Sequence, residues 1–315
     1  MFLSPMFRPR MIARLTHLYC HEISAMSTHK TECPAFLASD VPPPAPEKAR
    51  FHILPVPYEK TVSYGHGTGL GPEAILRASQ QLEVFNGHNC PATEVGIFTH
   101  PPVSCTGEAP VVLRRISDRV RDILTLGKIP VILGGEHTVS YAPVAALVEA
   151  RGADFGVVHF DAHADLRQEY EGTPWSHACV MRRIHELELP VAQFAVRSLS
   201  WDEHQYRLDH NIFHLDAAEL AEEGLPVLPL PDDFPEDIYL TFDIDALDPS
   251  LIPGTGTPEP GGLFWHDAMR LLRQILAGRR LIGFDVVELA PVPNAHVSEF
   301  SAARLVYEIM GMALE

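Results

Sequence analysis

From Phe51 onward, short apolar runs alternate with longer amphipathic stretches. The runs Phe51–Val56, Ile129–Leu133, Gly156–Phe160, Gln193–Val196, Asn211–His214, Ile238–Phe242 and Leu281–Val286 have the length of single strands. Between them lie helical patterns. Gly71-Pro72-Glu73 opens one, with proline where the first turn has no amide to satisfy. Val111–Leu126 is a second, closed by Gly127. His137–Ala150 and Trp265–Ala277 follow, the latter stopped by Gly278. Strands alternating with helices over this length predict an α/β fold. A mostly parallel central sheet would be covered by helices on both faces, making three layers, α/β/α. In such sheets functional groups collect beyond the carboxyl ends of the strands.

The first 45 residues stand apart. Residues 1–25 carry Arg8, Arg10 and Arg14 with Glu22 as the only acid, which fits an Arg-rich presequence. The simpler expectation is that Met26 is the natural start and that a disordered leader precedes it. Asp40-Val-Pro-Pro-Pro-Ala-Pro-Glu47 suits neither a helix nor a sheet interior and reads as a linker. Residues 1–45 are therefore expected to be a leader and proline-rich linker without fixed structure. Residues 46–315 would form a single domain, since no second linker and no internal repeat interrupts them.

Charge narrows the partners. The 315 residues include 41 Asp and Glu against 24 Lys and Arg, a formal charge of −17. Binding to a phosphate backbone needs clustered cations, so a nucleic-acid partner is not expected. The acidic balance mildly favours a neutral or cationic small molecule. No segment approaches the roughly 20 apolar residues of a membrane span, so no membrane partner is expected. Cys20, Cys33, Cys90, Cys105 and Cys179 are odd in number and form no CxxC pair. They read as ordinary thiols of a reducing compartment, which points to the cytoplasm.

Chemistry concentrates in two aspartate clusters and one histidine. In Val157-Val-His-Phe-Asp161-Ala-His163-Ala-Asp165, extended geometry sends Asp161, His163 and Asp165 to one side. Tyr239-Leu-Thr-Phe-Asp243-Ile-Asp245 again ends an apolar run in two acids two residues apart. Gly134-Gly135-Glu136-His137 follows a third run, placing His137 at the same sheet edge. Four carboxylates packed together cannot all stay ionised without counter-charge, and two divalent cations would supply it. Carboxylates with imidazole and no thiolate favour manganese or magnesium over a structural zinc site. His159 shares the parity of Asp161 but lies within the strand. It reads as a buried residue that packs behind a ligand, with a direct role as the alternative.

These segments resemble the metal-binding signatures of the ureohydrolase (arginase/agmatinase) family, and most closely agmatinase. The matching stretches are Gly134-Gly135-Glu136-His137-Thr138, Phe160–Asp165 and Phe242–Pro249, the last continuing through Pro253–Gly262. Phe284–Pro291 and the segment from Pro57-Tyr58 through Gly71-Pro72 match as well. The likeness runs from about Phe51 to the C-terminus. It implies two Mn2+ per chain. One would be held by His137, Asp161, Asp165 and Asp243, the other by Asp161, His163, Asp243 and Asp245. It implies hydrolysis of a guanidino compound to urea and an amine by a metal-bridging hydroxide. Asp165 would pass the proton, Glu288 would anchor the guanidinium, and His177 would shuttle protons or position substrate. The surroundings of His177 depart from the arginase pattern. The family also implies a homo-oligomer, trimer or hexamer.

Agmatine, giving putrescine and urea in polyamine biosynthesis, is the expected substrate. The segment after Asp165 lacks the Ser/Asn-containing stretch with which arginases hold the α-carboxylate and α-amino group. It offers Glu169 and Glu171 to a distal ammonium and Trp175 to a methylene chain. Arg167, Arg182 and Arg183 point the other way, toward a carboxylate-bearing substrate such as guanidinobutyrate or formiminoglutamate. Arginine is a further sister substrate. A metal-binding regulatory protein without turnover is the alternative of a different class.

Overall fold

The computed structural model describes residues 33–315. Eight strands form one sheet: β1 (Phe51–Val56), β2 (Ile97–Thr99), β3 (Ile129–Gly134), β4 (Gly156–Phe160), β5 (Val191–Phe194), β6 (Phe213–Leu215), β7 (Asp237–Asp243) and β8 (Arg280–Val287). The helices are α1 (Gly71–Ala78), α2 (Pro91–Glu94), α3 (Ala109–Thr125), α4 (Tyr141–Arg151), α5 (Val180–His185), α6 (Trp201–Asp209), α7 (Ala217–Glu223), α8 (Trp265–Leu276) and α9 (Val297–Met312). The strand order is β2-β1-β3-β8-β7-β4-β5-β6, and every pairing is parallel. Among the described residues no helix is long and apolar enough to cross a membrane.

Side chains alternate across the sheet, which gives it two apolar faces. Phe51, Ile53, Val131, Phe160, Leu240 and Phe284 pack on one side with α1, α8 and α9. Leu54, Val56 and Ile132 pack on the other against α3, while Val157 and Tyr239 meet α4 and α5 there. The expected three-layer α/β/α arrangement is thus the observed one. Helix α9 gave no amphipathic stripe because nearly all its sides are covered, from Ala302 and Ala303 to Leu305, Val306 and Tyr307.

Several boundaries differ from the sequence expectation for local reasons. Ala195 adopts φ 70°, so the strand expected to run to Val196 stops at Phe194. Asn211 takes φ 51°, which delays β6 until Phe213. Strand β2 has three residues, too few to display a period. The helix expected over His137–Ala150 is a 3-10 turn, His137–Ser140, leading into α4.

The compact unit runs from Pro34 to Glu315, so packing begins before the expected boundary at residue 46. Phe36 and Leu37 are buried in the core layer beside α1 and α9. The Leu37 amide donates to Ser79 Oγ at 3.1 Å, and the Phe36 amide to Thr99 Oγ1 at 3.0 Å. Two adjacent apolar side chains outweigh the prolines that follow them. Residues 1–32, where most of the expected leader falls, lie outside the described residues. Truncating Phe36 to alanine removes a buried ring and is expected to cost about 3 kcal/mol. Urea unfolding followed by circular dichroism measures this, and a loss below about 1 kcal/mol would mean that the segment does not pack.

Candidate metal centre and active site

The chain crosses from β3 to β4 over two strands that it adds last, β7 and β8. The sheet therefore reverses direction at its middle, and the crevice beyond the carboxyl ends opens there. Each of these four strands delivers polar groups to it. His137 follows β3, Asp161 follows β4, Asp243 ends β7 and Glu288 follows β8. Phe160 stacks between Phe194 and Phe242 in the core, with ring centroids 5.1 Å apart on both sides, while His159, Thr241 and Asp285 stand behind Asp161 and His137. Gly135 permits the turn into His137, because a Cβ there would lie 2.0 Å from the Tyr58 carbonyl oxygen.

The cluster is tight. His137 Nδ1 lies 3.0 Å from Asp161 Oδ2, 3.2 Å from Asp165 Oδ2 and 3.4 Å from Asp243 Oδ2. His163 Nδ1 lies 3.3 Å from Asp161 Oδ1 and 3.1 Å from Asp245 Oδ2. Asp161 thus stands between two groups of donor atoms, each compact enough to surround one ion. Glu288 Oε1 accepts the His137 amide at 2.7 Å. Asp165 and Glu288 both hold left-handed backbone, φ 53° and 62°, a conformation that non-glycine residues keep only where surroundings enforce it. The Asp165 carbonyl is pinned by the Met181 and Arg182 amides at the start of α5.

The donor set fits divalent ions. His137 Nδ1 is buried, makes no hydrogen bond and faces three carboxylates. Its other nitrogen is engaged. Thr241 Oγ1 gives its one proton to Asp285 Oδ1 at 2.7 Å and so accepts from His137 Nε2, 2.9 Å away. The Nδ1 lone pair is thereby left for a cation.

Without cations the cluster holds protons instead. Burial and then the Asp161 charge push Asp165 up to about 7. Burial, with Asp245 and Asp161, raises Asp243 well above the carboxylate range. Burial and Glu136 do the same to Glu288. Burial opposes the charge on Asp161, yet the His137, His159 and His163 rings against it hold it well below its ordinary value. Burial also opposes protonation of His163, but Asp245 and Asp161 drive it up to about 12.

Two small cavities meet at this cluster. An inner one of about 20 Å³ is lined by His163, Asp165, Asp243, Glu288 and His177. An outer one of about 240 Å³ shares His163, Asp165 and His177 and extends to Tyr170, Arg167 and Glu203. The His177 ring meets Tyr170 edge-on at 5.8 Å, and burial holds its pKa below 6.5.

Comparison with known proteins agrees with this geometry. The family model described as Arginase family matches residues 49–311. The chain is 37% identical over 272 residues to an N(1)-aminopropylagmatine ureohydrolase of Synechocystis, covering 82% of this chain and 87% of that relative. It is 34% identical to an agmatinase of Bacillus anthracis over 85% of this chain and 93% of the other. Its fold superposes on the agmatine ureohydrolase of Thermoplasma volcanium with a TM-score of 0.79 at 27% identity, covering 93% and 97% of the two chains. The chain belongs to the arginase family.

The arginase-family residues named from sequence divide in space. His137, Asp161, His163, Asp165, Asp243 and Asp245 come together, and His177 and Glu288 line the same cavity. Two others do not reach it. Trp175 packs edge-on against Tyr141 at 5.1 Å and lines a separate surface cleft with Arg114 and Arg121. Glu169 is exposed and borders neither cavity, because the Tyr170–Thr173 bridge turns it outward. Sequence reading passed over Glu136, which is fully buried. Its carboxylate accepts the Lys60 and Thr61 amides and the Thr61 and Thr138 hydroxyls at 2.5–2.7 Å. Thr61 Oγ1, its proton committed to Glu136, accepts the His177 amide at 3.1 Å, and both it and Ser176 Oγ lie within 3.3 Å of His177 Nδ1. The signal for Glu136 was its place between two glycines and a ligand histidine.

Cations must displace protons from this cluster. Metal binding is therefore expected to release protons and to tighten as pH rises from 5 to 8, since Asp165 and His163 deprotonate only toward or above that range without metal. Isothermal titration in buffers of different ionisation enthalpy counts the protons. Affinity independent of pH would contradict the assignment.

Proposed function

We propose that this protein is a metal-dependent ureohydrolase that converts a guanidino amine of the agmatine class into urea and an amine. The observation that carries it is one cavity where a carboxylate and imidazole cluster fit for two ions faces Glu288, a buried carboxylate. In this reading His137, Asp161, His163, Asp165, Asp243 and Asp245 hold two manganese ions. When bound, such a pair supplies a water that loses its proton near neutral pH. The chain's own residues do the rest. Glu288, its Oε1 fixed by the His137 amide, binds the planar guanidinium with its remaining acceptor capacity. Asp165 accepts a proton at Oδ and returns it to the nitrogen of the departing amine. His177, held neutral by burial and positioned by Thr61 and Ser176, stands on the cavity wall.

Arg167 and Glu203, which line the outer cavity, are paired with each other. Arg182 and Arg183 are engaged with Glu186, and neither lines it. Arg167 does line it, but lies 3.8 Å from Glu203 and over the Tyr170 ring. An α-carboxylate therefore finds no unpaired cation here, and Glu203 is itself engaged, accepting from the Leu166 and Ser200 amides and the Ser200 hydroxyl. The agmatine class includes its N1-aminopropyl derivative, which the Synechocystis relative is named for, and the outer cavity has room for the extension.

Urea release from agmatine, N1-aminopropylagmatine, arginine and guanidinobutyrate by manganese-loaded protein tests the proposal. One of the first two should exceed arginine at least 100-fold in kcat/KM, since a buried end group without a partner is rejected strongly. Glu288→Gln should lower that kcat/KM by about two orders of magnitude. Fastest turnover of a carboxylate-bearing compound would overturn the substrate assignment. No urea from any of the four, with metal bound, would favour the non-catalytic alternative.

A further inference from the structure

Asp161 is backed by a buried hydrogen-bond chain that runs through two strands and a helix toward the protein surface. His159 on β4 lies with Nε2 2.9 Å from Asp161 Oδ2, and with Nδ1 2.9 Å from Gln193 Nε2 on β5. Gln193 Nε2 also donates to the Ala164 carbonyl at 2.8 Å, and Gln193 Oε1 accepts Arg207 Nε of α6 at 2.8 Å. Arg207 Nη1 in turn meets both oxygens of Asp216 at 3.0 and 3.1 Å. Gln193 and His159 have no exposed surface, and Arg207 is 1% exposed.

The direction of every proton in this chain is determined. Arginine can only donate, so the atom of Gln193 facing it is the oxygen. A carbonyl can only accept, so the atom facing Ala164 is the nitrogen. Both ends fix the same orientation of the amide. Its second N–H then points at His159 Nδ1, which must accept. The proton of the neutral ring sits on Nε2 and is donated to Asp161. His159 therefore cannot offer that nitrogen to a metal. It ties down one lone pair of the carboxylate that stands between the two groups of donor atoms. The Ala164 contact also holds the loop between His163 and Asp165.

We propose that Gln193 and Arg207 are positioning residues of the metal centre, acting through His159 to fix the orientation of Asp161. The proposal rests on Asp161 being a metal ligand. Two readouts on the full chain test it. The first is the 15N imidazole signals of His159, with magnesium as a diamagnetic ion. The second is manganese affinity, from titration followed by electron paramagnetic resonance. In the unaltered protein His159 should show a pyrrole-type Nε2 and a pyridine-type Nδ1. Gln193→Glu keeps the size and the Arg207 contact but removes the donor. It should move a proton to Nδ1 and weaken manganese binding by about 10–100-fold. Arg207→Met, which frees the amide to flip, should weaken it in the same direction. If Arg207→Met fails to fold, Gln193→Glu and the signals of the unaltered protein still decide. A pyrrole-type Nδ1 in the unaltered protein overturns the proposal. So does Gln193→Glu with reduced thermal stability but unchanged manganese affinity, the mark of a merely structural residue. Asp161→Asn separates the two levels. If it binds manganese as tightly as the unaltered protein, the ligand assignment itself fails.

Discussion

Crowded negative charge is the constraint on which this structure turns. Asp161, Asp165, Asp243, Asp245 and Glu288 are all at least 93% buried around one cavity. Two like charges 4 Å apart repel by about 4 kcal/mol at an effective dielectric near 20. Several such pairs together rival the whole stability of a typical domain, about 5–15 kcal/mol. The arrangement is tenable only with protons or cations among the oxygens. The strands that converge, the left-handed backbone at Asp165 and Glu288 and the histidines set between carboxylates all serve to hold it in place until the counter-charge arrives.

Two fully buried imidazoles, His137 and His159, are each aimed by a neighbour with a fixed hydrogen-bonding sense. At His137 the neighbour is the Thr241 hydroxyl, whose single proton goes to Asp285. The hydroxyl can then only accept from the ring. At His159 the neighbour is an amide oriented by an arginine and a carbonyl. The same physical device, a partner with no freedom left, turns Nδ1 of His137 inward and Nε2 of His159 toward Asp161.

Much of this was legible beforehand, because the acids and imidazoles gather where apolar runs end, although turns after Phe160 and Asp243, not continued strand, place His163, Asp165 and Asp245. Asp161, His163 and Asp165 alternate, as do Asp243 and Asp245, and apolar runs precede both sets. Glu288 and His177 were reached only by resemblance. Local pattern gives no sign that the chain after β8 and the loop before α5 return to the same crevice. Trp175 and Glu169 were misplaced because their segment is a loop, and the Tyr170–Thr173 bridge that orients it has no periodic signature. Arg207, Gln193 and Glu136 sit in elements that read as ordinary helix, strand and turn. Their importance lies in contacts between residues 14 to 76 positions apart, which no window along the chain can display. Phe36 and Leu37 were lost to the proline-rich stretch beside them.

The order in which the strands occur along the chain has a consequence for how the molecule is made. Strands β3 and β4 carry the first ligands, yet they are not neighbours. The gap between them, about 14 Å across three strand spacings, is filled by the last two strands of the sequence. Until those strands emerge, the nascent chain consists of two three-stranded half-sheets, each with an unpaired inner edge rich in Val, Ile and Phe. Such edges invite pairing with other chains, and long-range parallel pairing is slow to form. The six strands made before β7 and β8 bring neither Asp243, Asp245 nor Glu288, so the donor set for ions is complete only when these two close the sheet.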